Sequence, residues 1–134
     1  MGLERDYLMR QLMMLMEVIL KIAGYRKKGQ QAEAEEEIRY FYNYLTLDTD
    51  FHQKSIHDLL DYLTTQKKLT GDHLEMIAFV LKEQGEMAIQ DDRRMDFFRK
   101  SYILLEKVDR ESIVFSMNRQ MKLAELRGYL EQLS

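Results

Sequence analysis

The sequence predicts an all-α protein of about six antiparallel helices, and three observations carry that expectation. Its 134 residues include Pro 0 and only Gly 6, so helix breakers are scarce. Leu, Met, Glu, Lys, Gln and Arg, which lose little side-chain freedom in a helix, make up much of the rest. Apolar residues recur at spacings of three and four along most of the chain, the period of a helix with one buried face. The length suits one core and no low-complexity linker interrupts it, so residues 1–134 are expected to form a single all-helical domain.

The first helix is expected from Glu4 to Ala23, with Gly24 as its C-terminal cap and Arg26-Lys27-Lys28-Gly29 as the following turn. The second, Gln31 to Leu47, opens on the acidic run "AEAEEE", which suits the positive end of the helix dipole, and continues into "IRYFYNYL". Asp50 with Gln53 has capping-box spacing and starts a third helix through Lys67, whose Phe51, Ile56, Leu59, Leu60 and Leu63 share a side. The same spacing at Asp72 and Glu75 starts a fourth through Ile89, with Met76, Ile77, Val80, Leu81 and Met87 as its buried stripe. "QDDRR" turns the chain into a fifth helix along Met95, Phe98, Tyr102 and Leu105. Asp109 is expected to cap the sixth, with Ile113, Met117, Met121 and Ala124 on one line and Leu123, Leu126, Leu130 and Leu133 on another.

Composition narrows the function classes. A formal net charge of -3 with both signs interspersed provides no one-signed field for nucleic acid or anionic lipid, so neither partner is expected. Cys 0 excludes disulfides, thiolate catalysis and Cys-based zinc sites, and suits the cytoplasm. Glu4 and Asp6 spoil a secretion signal, Asp6 stands where a myristoylation motif has Ser or Thr, and Arg10, Glu17 and Lys21 interrupt the first apolar run. No membrane anchor is therefore expected.

Catalytic signatures are equally scarce. His52 and His57 are five residues apart, about 140 degrees around a helix, whereas two ligands on one face stand three or four apart. His57, Asp58 and Asp61 read as a solvated surface group, and His73 as a first-turn residue. Zinc-protease, di-iron, nucleophile-elbow and phosphate-loop patterns do not occur. The expectation is a protein that is not an enzyme, with no catalytic residues, no metal and no cofactor.

Two stretches have the outline of helical hairpins with aromatics in the second arm. In "LEMIAFVLKEQGEMA" and "MDFFRKSYILLEKVD", Leu81, Gly85 and Ala88 stand at characteristic positions of one arm, and Phe98 and Ser101 at those of the other. This pair resembles a tetratricopeptide repeat, in which small residues let paired helices approach closely. With "RDYLMRQLMMLMEVILKIAG" and "SIHDLLDYL", the chain resembles a family of small bacterial proteins built on such hairpins, a family without an assigned activity. The resemblance implies a tetratricopeptide-like bundle, or short right-handed superhelix.

Two surfaces stand out. In the first helix, Arg10, Glu17 and Lys21 mark the wet side, while Leu8, Leu12, Leu15, Ile19 and Ile22 form one apolar side and Met9, Met13, Met16, Val18 and Leu20 spread beyond it. That width exceeds the stripe of about 100 degrees a surface helix needs. Either the helix is central in the fold, or Met9, Met13, Met16 and Leu20 meet another protein, methionine being well suited to adaptable contacts. In the second helix, Tyr40, Phe41 and Tyr44 are expected to lie together, with Tyr42 turned away, as core or as a ligand pocket. The function expected is protein–protein interaction through self-association, as a homodimer. The alternative is a sensor or enzyme holding a small ligand between the second helix and the fourth and fifth.

Overall fold

The computed structural model describes residues 2–48 and 50–134, with side chains from Glu4 onward. Six α-helices and no strand occur among the described residues. The chain divides into two compact units, Met1–Thr49 and Asp50–Ser134.

The first unit is a helical hairpin of α1 (Gly2–Lys27) and α2 (Gln31–Tyr44). Gly24 lies inside α1 and caps nothing; the helix stops at Lys27 and the chain turns at Gly29, whose φ of 74° is open to glycine at little cost. The Gln30 N–H donates to the Tyr25 carbonyl at 2.9 Å and the Gly29 N–H to that of Arg26 at 3.1 Å, the paired bonds of a Schellman closure. α2 ends alike but without a glycine. Thr46 takes φ 53°, while the Leu47 N–H reaches the Tyr42 carbonyl at 3.1 Å and the Thr46 N–H that of Asn43 at 2.9 Å. Leu15, Val18, Ile19 and Ile22 of α1 are buried, as are Ala34, Ile38, Phe41 and Tyr42 of α2. In each helix these positions recur at three and four residues, so one face turns inward.

The second unit opens on a single 3₁₀ turn, Phe51–Gln53. The expected Asp50 cap makes no side-chain bond; Ser55 caps instead, its hydroxyl accepting the Asp58 N–H at 3.2 Å. α3 (Ile56–Asp61) then widens into a π-helical turn, Tyr62–Gln66, where the Lys67 N–H reaches back five residues to the Tyr62 carbonyl at 2.9 Å.

α4 (Gly71–Met87) is the helix buried on all sides, from His73 to Gly85 with only Glu75 and Gln84 partly exposed. Its cap is Thr70, not Asp72. Thr70 Oγ1 accepts the His73 N–H at 3.5 Å, and His73 Nδ1 accepts the Thr70 N–H at 3.4 Å. A histidine thus fills the reciprocal position that Glu or Gln usually takes in a capping box.

α5 (Asp91–Glu111) begins within "QDDRR", so Asp91 and Asp92 form its first turn, at the positive end of its dipole. It packs along α4 through two close approaches. The Ser101 hydroxyl donates to the Ala78 carbonyl at 2.6 Å, and Phe98 lies over Gly85. Asp109, expected as the next cap, is still inside α5; Ser116 caps α6 (Met117–Leu133), accepting the Arg119 N–H at 3.2 Å. Leu123 and Leu126 are buried, but Met117, Met121 and Ala124 are exposed, so the apolar line expected from Ile113 to Ala124 faces outward.

Candidate functional site

Exposure around α1 is uneven. Met9, Met13 and Leu20 are 52%, 63% and 66% exposed, and Met16 beside them is half-buried. Their spacings of four, three and four hold them in one strip running obliquely to the buried face. Arg10, Glu17 and Lys21 are exposed along the next edge of the helix, and Leu8 and Leu12 are only partly covered. The first helix is therefore not buried all round: a strip about 60 degrees wide is apolar and open, with charge along its border.

The aromatic run of α2 divides. Tyr40 and Tyr44, one turn apart, are exposed and touch at 6.4 Å between ring centres, while Phe41 is fully buried. Tyr42, expected to turn away, is buried too and meets Phe41 edge-on at 5.5 Å. The reason is the helical period: Ile38, Phe41, Tyr42 and Leu45 stand at steps of three, one and three, a single inward face. Burial pushes the Tyr42 hydroxyl well above its ordinary range, so it stays protonated. Tyr40, Phe41 and Tyr44 thus do not share a face, although the Tyr40 hydroxyl reaches across the hairpin to Met14 Sδ at 3.9 Å.

In the second unit a surface cleft of about 420 Å3 lies between the 3₁₀ turn and the start of α5. His52, Asp92, Arg93, Asp96, Phe97 and Lys100 line it. Its buried lysine is committed to the fold: Lys100 Nζ donates to the His52 carbonyl at 2.5 Å and to Asp96 Oδ2 at 2.9 Å. The His52 ring stacks on Phe97 at 5.6 Å, and burial, with Lys100 and then Arg93 nearby, holds its pKa below the usual value. The cleft is a clamp fastening the turn to α5. Its acids and bases offset one another, which gives no preference for a charged ligand.

Two further polar groups tie helices together. Lys82 on α4 binds Glu86 at 2.7 Å and Glu125 of α6 at 2.6 Å, and the Tyr129 hydroxyl donates to Glu86 at 3.2 Å. Burial would lower the Lys82 pKa, but the bonds from Glu125 and Glu86 together raise it. Arg119 donates to Glu75 at 2.8 Å, to Asp109 at 2.9 Å and to the Val114 carbonyl at 2.7 Å. Those bonds, with one from Gln120, hold Asp109 below the ordinary carboxylate range.

His57 is exposed, Asp58 serves the Ser55 cap through its backbone, and Asp61 accepts from Gln66 at 3.2 Å. Among the described residues no three His, Asp or Glu side chains gather as a metal site, and no helix is long and apolar enough to cross a membrane.

One surface escaped the sequence reading. Between α5 and α6, Ile113, Val114 and Phe115 stand 99%, 67% and 71% exposed. Ser112 and Ser116 bracket them: the Val114 N–H donates to Ser112 Oγ at 3.1 Å, and Ser116 is the next helix cap. Two serines around three apolar residues are the signal of a turn and cap, and they outrank the helical periodicity. Comparison with protein-family models, with curated proteins and with solved structures finds no match to this chain.

Proposed function

We propose that this chain is a non-catalytic protein–protein interaction module that associates with a second copy of itself through α1. The observation carrying the reading is the strip of Met9, Met13, Met16 and Leu20, three of whose four side chains are more than half exposed. Contiguous apolar surface bordered by charge marks contact sites in soluble proteins, because covering it releases the water it orders. Flexible methionines adapt to a partner's relief. A self-complementary patch closes as a two-fold dimer, the commonest oligomer. The clamp at Lys100 and the ties at Lys82 and Arg119 are structural in this reading, and the absence of cysteine fits a cytoplasmic setting.

Met13→Glu tests the proposal, since it puts a charge into the strip at an exposed position. Light scattering coupled to size exclusion is expected to give a dimer mass for the natural chain and a monomer mass for the variant, with unchanged helical circular dichroism. A variant that keeps the dimer mass would move the contact away from α1.

A further inference from the structure

The charged edge of α1 has an order of signs that bears on how two copies meet. Asp6, Arg10, Glu17 and Lys21 are all exposed and fall within about 60 degrees of one another around the helix, directly beside the apolar strip. Their signs alternate along the helix. Asp6 and Lys21 are equally distant from the point between Met13 and Met14, and so are Arg10 and Glu17. Reversing the helix about that point therefore brings every acid onto a base. The strip has nearly the same centre: Met9 and Leu20, and Met13 and Met16, are symmetric about the point between Met14 and Leu15, one residue away.

We propose that α1 packs against α1 of a second copy of this chain in antiparallel, two-fold register, Met9 facing Leu20 of the partner subunit and Arg10 facing Glu17 of the partner subunit. This rests on the self-association proposed above and adds its direction and register. Spacings of four, three and four are those of the seam residues in paired helices, and flanking charges select partner orientation. In an antiparallel pair the Arg10–Glu17 contact forms twice, and the Asp6–Lys21 contact twice more. In a parallel two-fold pair the edge carrying these four residues lies on the opposite side of the seam from its copy, so none of the four contacts forms. The pattern thus favours the antiparallel orientation by attractions that the parallel one lacks. The isologous two-fold also closes the assembly at two copies.

The natural chain has Cys 0, so introduced cysteines report on register without background. Met9→Cys and Leu20→Cys are prepared separately as full chains, then oxidised alone and as a mixture. Antiparallel pairing sets the two Met9 positions about 16 Å apart along the axis, beyond the reach of a disulfide, but sets Met9 level with Leu20 of the partner subunit. The expected result is a linked dimer from the mixture and little from either variant alone. Efficient linkage of Met9→Cys with itself would overturn the proposal in favour of parallel pairing, and a dimer by sedimentation that links in neither case would place the contact elsewhere. A natural chain that sediments as a monomer would instead remove the self-association on which the register depends.

Charge exchange gives a second readout that leaves the strip intact. Arg10→Glu and Glu17→Arg are each expected to weaken association about five- to tenfold, because each creates two like-charge contacts. The double variant R10E/E17R is expected to recover the natural affinity. Failure of the double variant to recover it, with both single variants weakened and all folded, would contradict the antiparallel register.

Discussion

The Phe98 ring occupies the space in which a side chain at position 85 would stand: a Cβ on Gly85 would lie 2.5 Å from Phe98 Cε1 and 2.6 Å from Cδ1. The ring cannot readily step aside, because Tyr129 of α6 stacks on it at 4.4 Å with planes 6° apart and the Arg94 guanidinium lies 5.7 Å away. Three helices meet at this contact. The glycine is thus a packing requirement of the α4–α5 hairpin.

Gly85→Ala sets two effects against each other. Alanine gains up to about 1 kcal/mol of helix propensity, while overpacking a rigid contact costs roughly 1–3 kcal/mol. A net loss of about 1–2 kcal/mol is expected, read as a lower urea midpoint with unchanged slope. Combining it with Phe98→Leu is expected to cost less than the sum of the two single changes, since the smaller side chain vacates the clash.

The two ends of the first hairpin make opposite forecasts. Gly29→Ala forces alanine to φ 74° and is expected to cost about 1 kcal/mol. Thr46→Gly frees a β-branched residue from φ 53° and is expected to stabilise by about 0.5 kcal/mol, after the loss of the Thr46 hydroxyl bond to the Leu45 carbonyl. Thermal unfolding of both variants beside the natural chain checks the pair of signs.

What could be read from the sequence was periodicity, and what could not was competition between local signals. Helix number and approximate extent follow from spacing, and Gly85, Phe98 and Ser101 could be picked out as a close approach. Caps were harder, because several Asp, Ser and Thr residues compete for each helix start. Asp109 has the right type to be one, but its carboxylate is claimed by Arg119 and Gln120 from the following helix, and Ser116 takes the end. Asp72 loses to Thr70 because a histidine completes the box. The inward turn of Tyr42 follows from its register with Ile38 and Leu45, which the spacing of Tyr40, Phe41 and Tyr44 taken alone passes over. The open strip of α1 could be seen as excess apolar width; which of its edges stays uncovered depends on tertiary packing.

Acidification is expected to weaken the fold through His73 and His52. Burial lowers both pKa values in the folded chain, and for His73 the Nδ1 lone pair that holds the Thr70 N–H requires a neutral ring. A histidine with a depressed folded pKa binds more protons when unfolded, so its contribution is complete above about pH 6.5, the ordinary histidine value. It is lost as pH falls below that value through the lower folded one, and then levels off. His73→Gln retains a capping-box partner at the same position and is expected to reduce, without abolishing, the slope of unfolding free energy between pH 7 and 5.

Arg119 is expected to be the most costly charged residue to remove from the second unit. Its guanidinium serves Glu75, Asp109 and the Val114 carbonyl together, and leaving such partly buried acceptors unmatched costs about 2–4 kcal/mol. Arg119→Lys is expected to recover little, since one ammonium cannot match the spread of a planar fork. Hydrogen exchange should show faster opening at Ile113–Phe115 in Arg119→Ala and Arg119→Lys, because the Val114 anchor is lost or weakened.

The central claim is that the open strip of α1 is covered by a second copy of the chain. Sedimentation velocity of the natural protein over a wide range of concentration tests this most directly. The account expects a concentration-dependent shift from monomer to dimer with no larger species, as a two-fold contact closes on itself. A single monomer boundary throughout the range would contradict it.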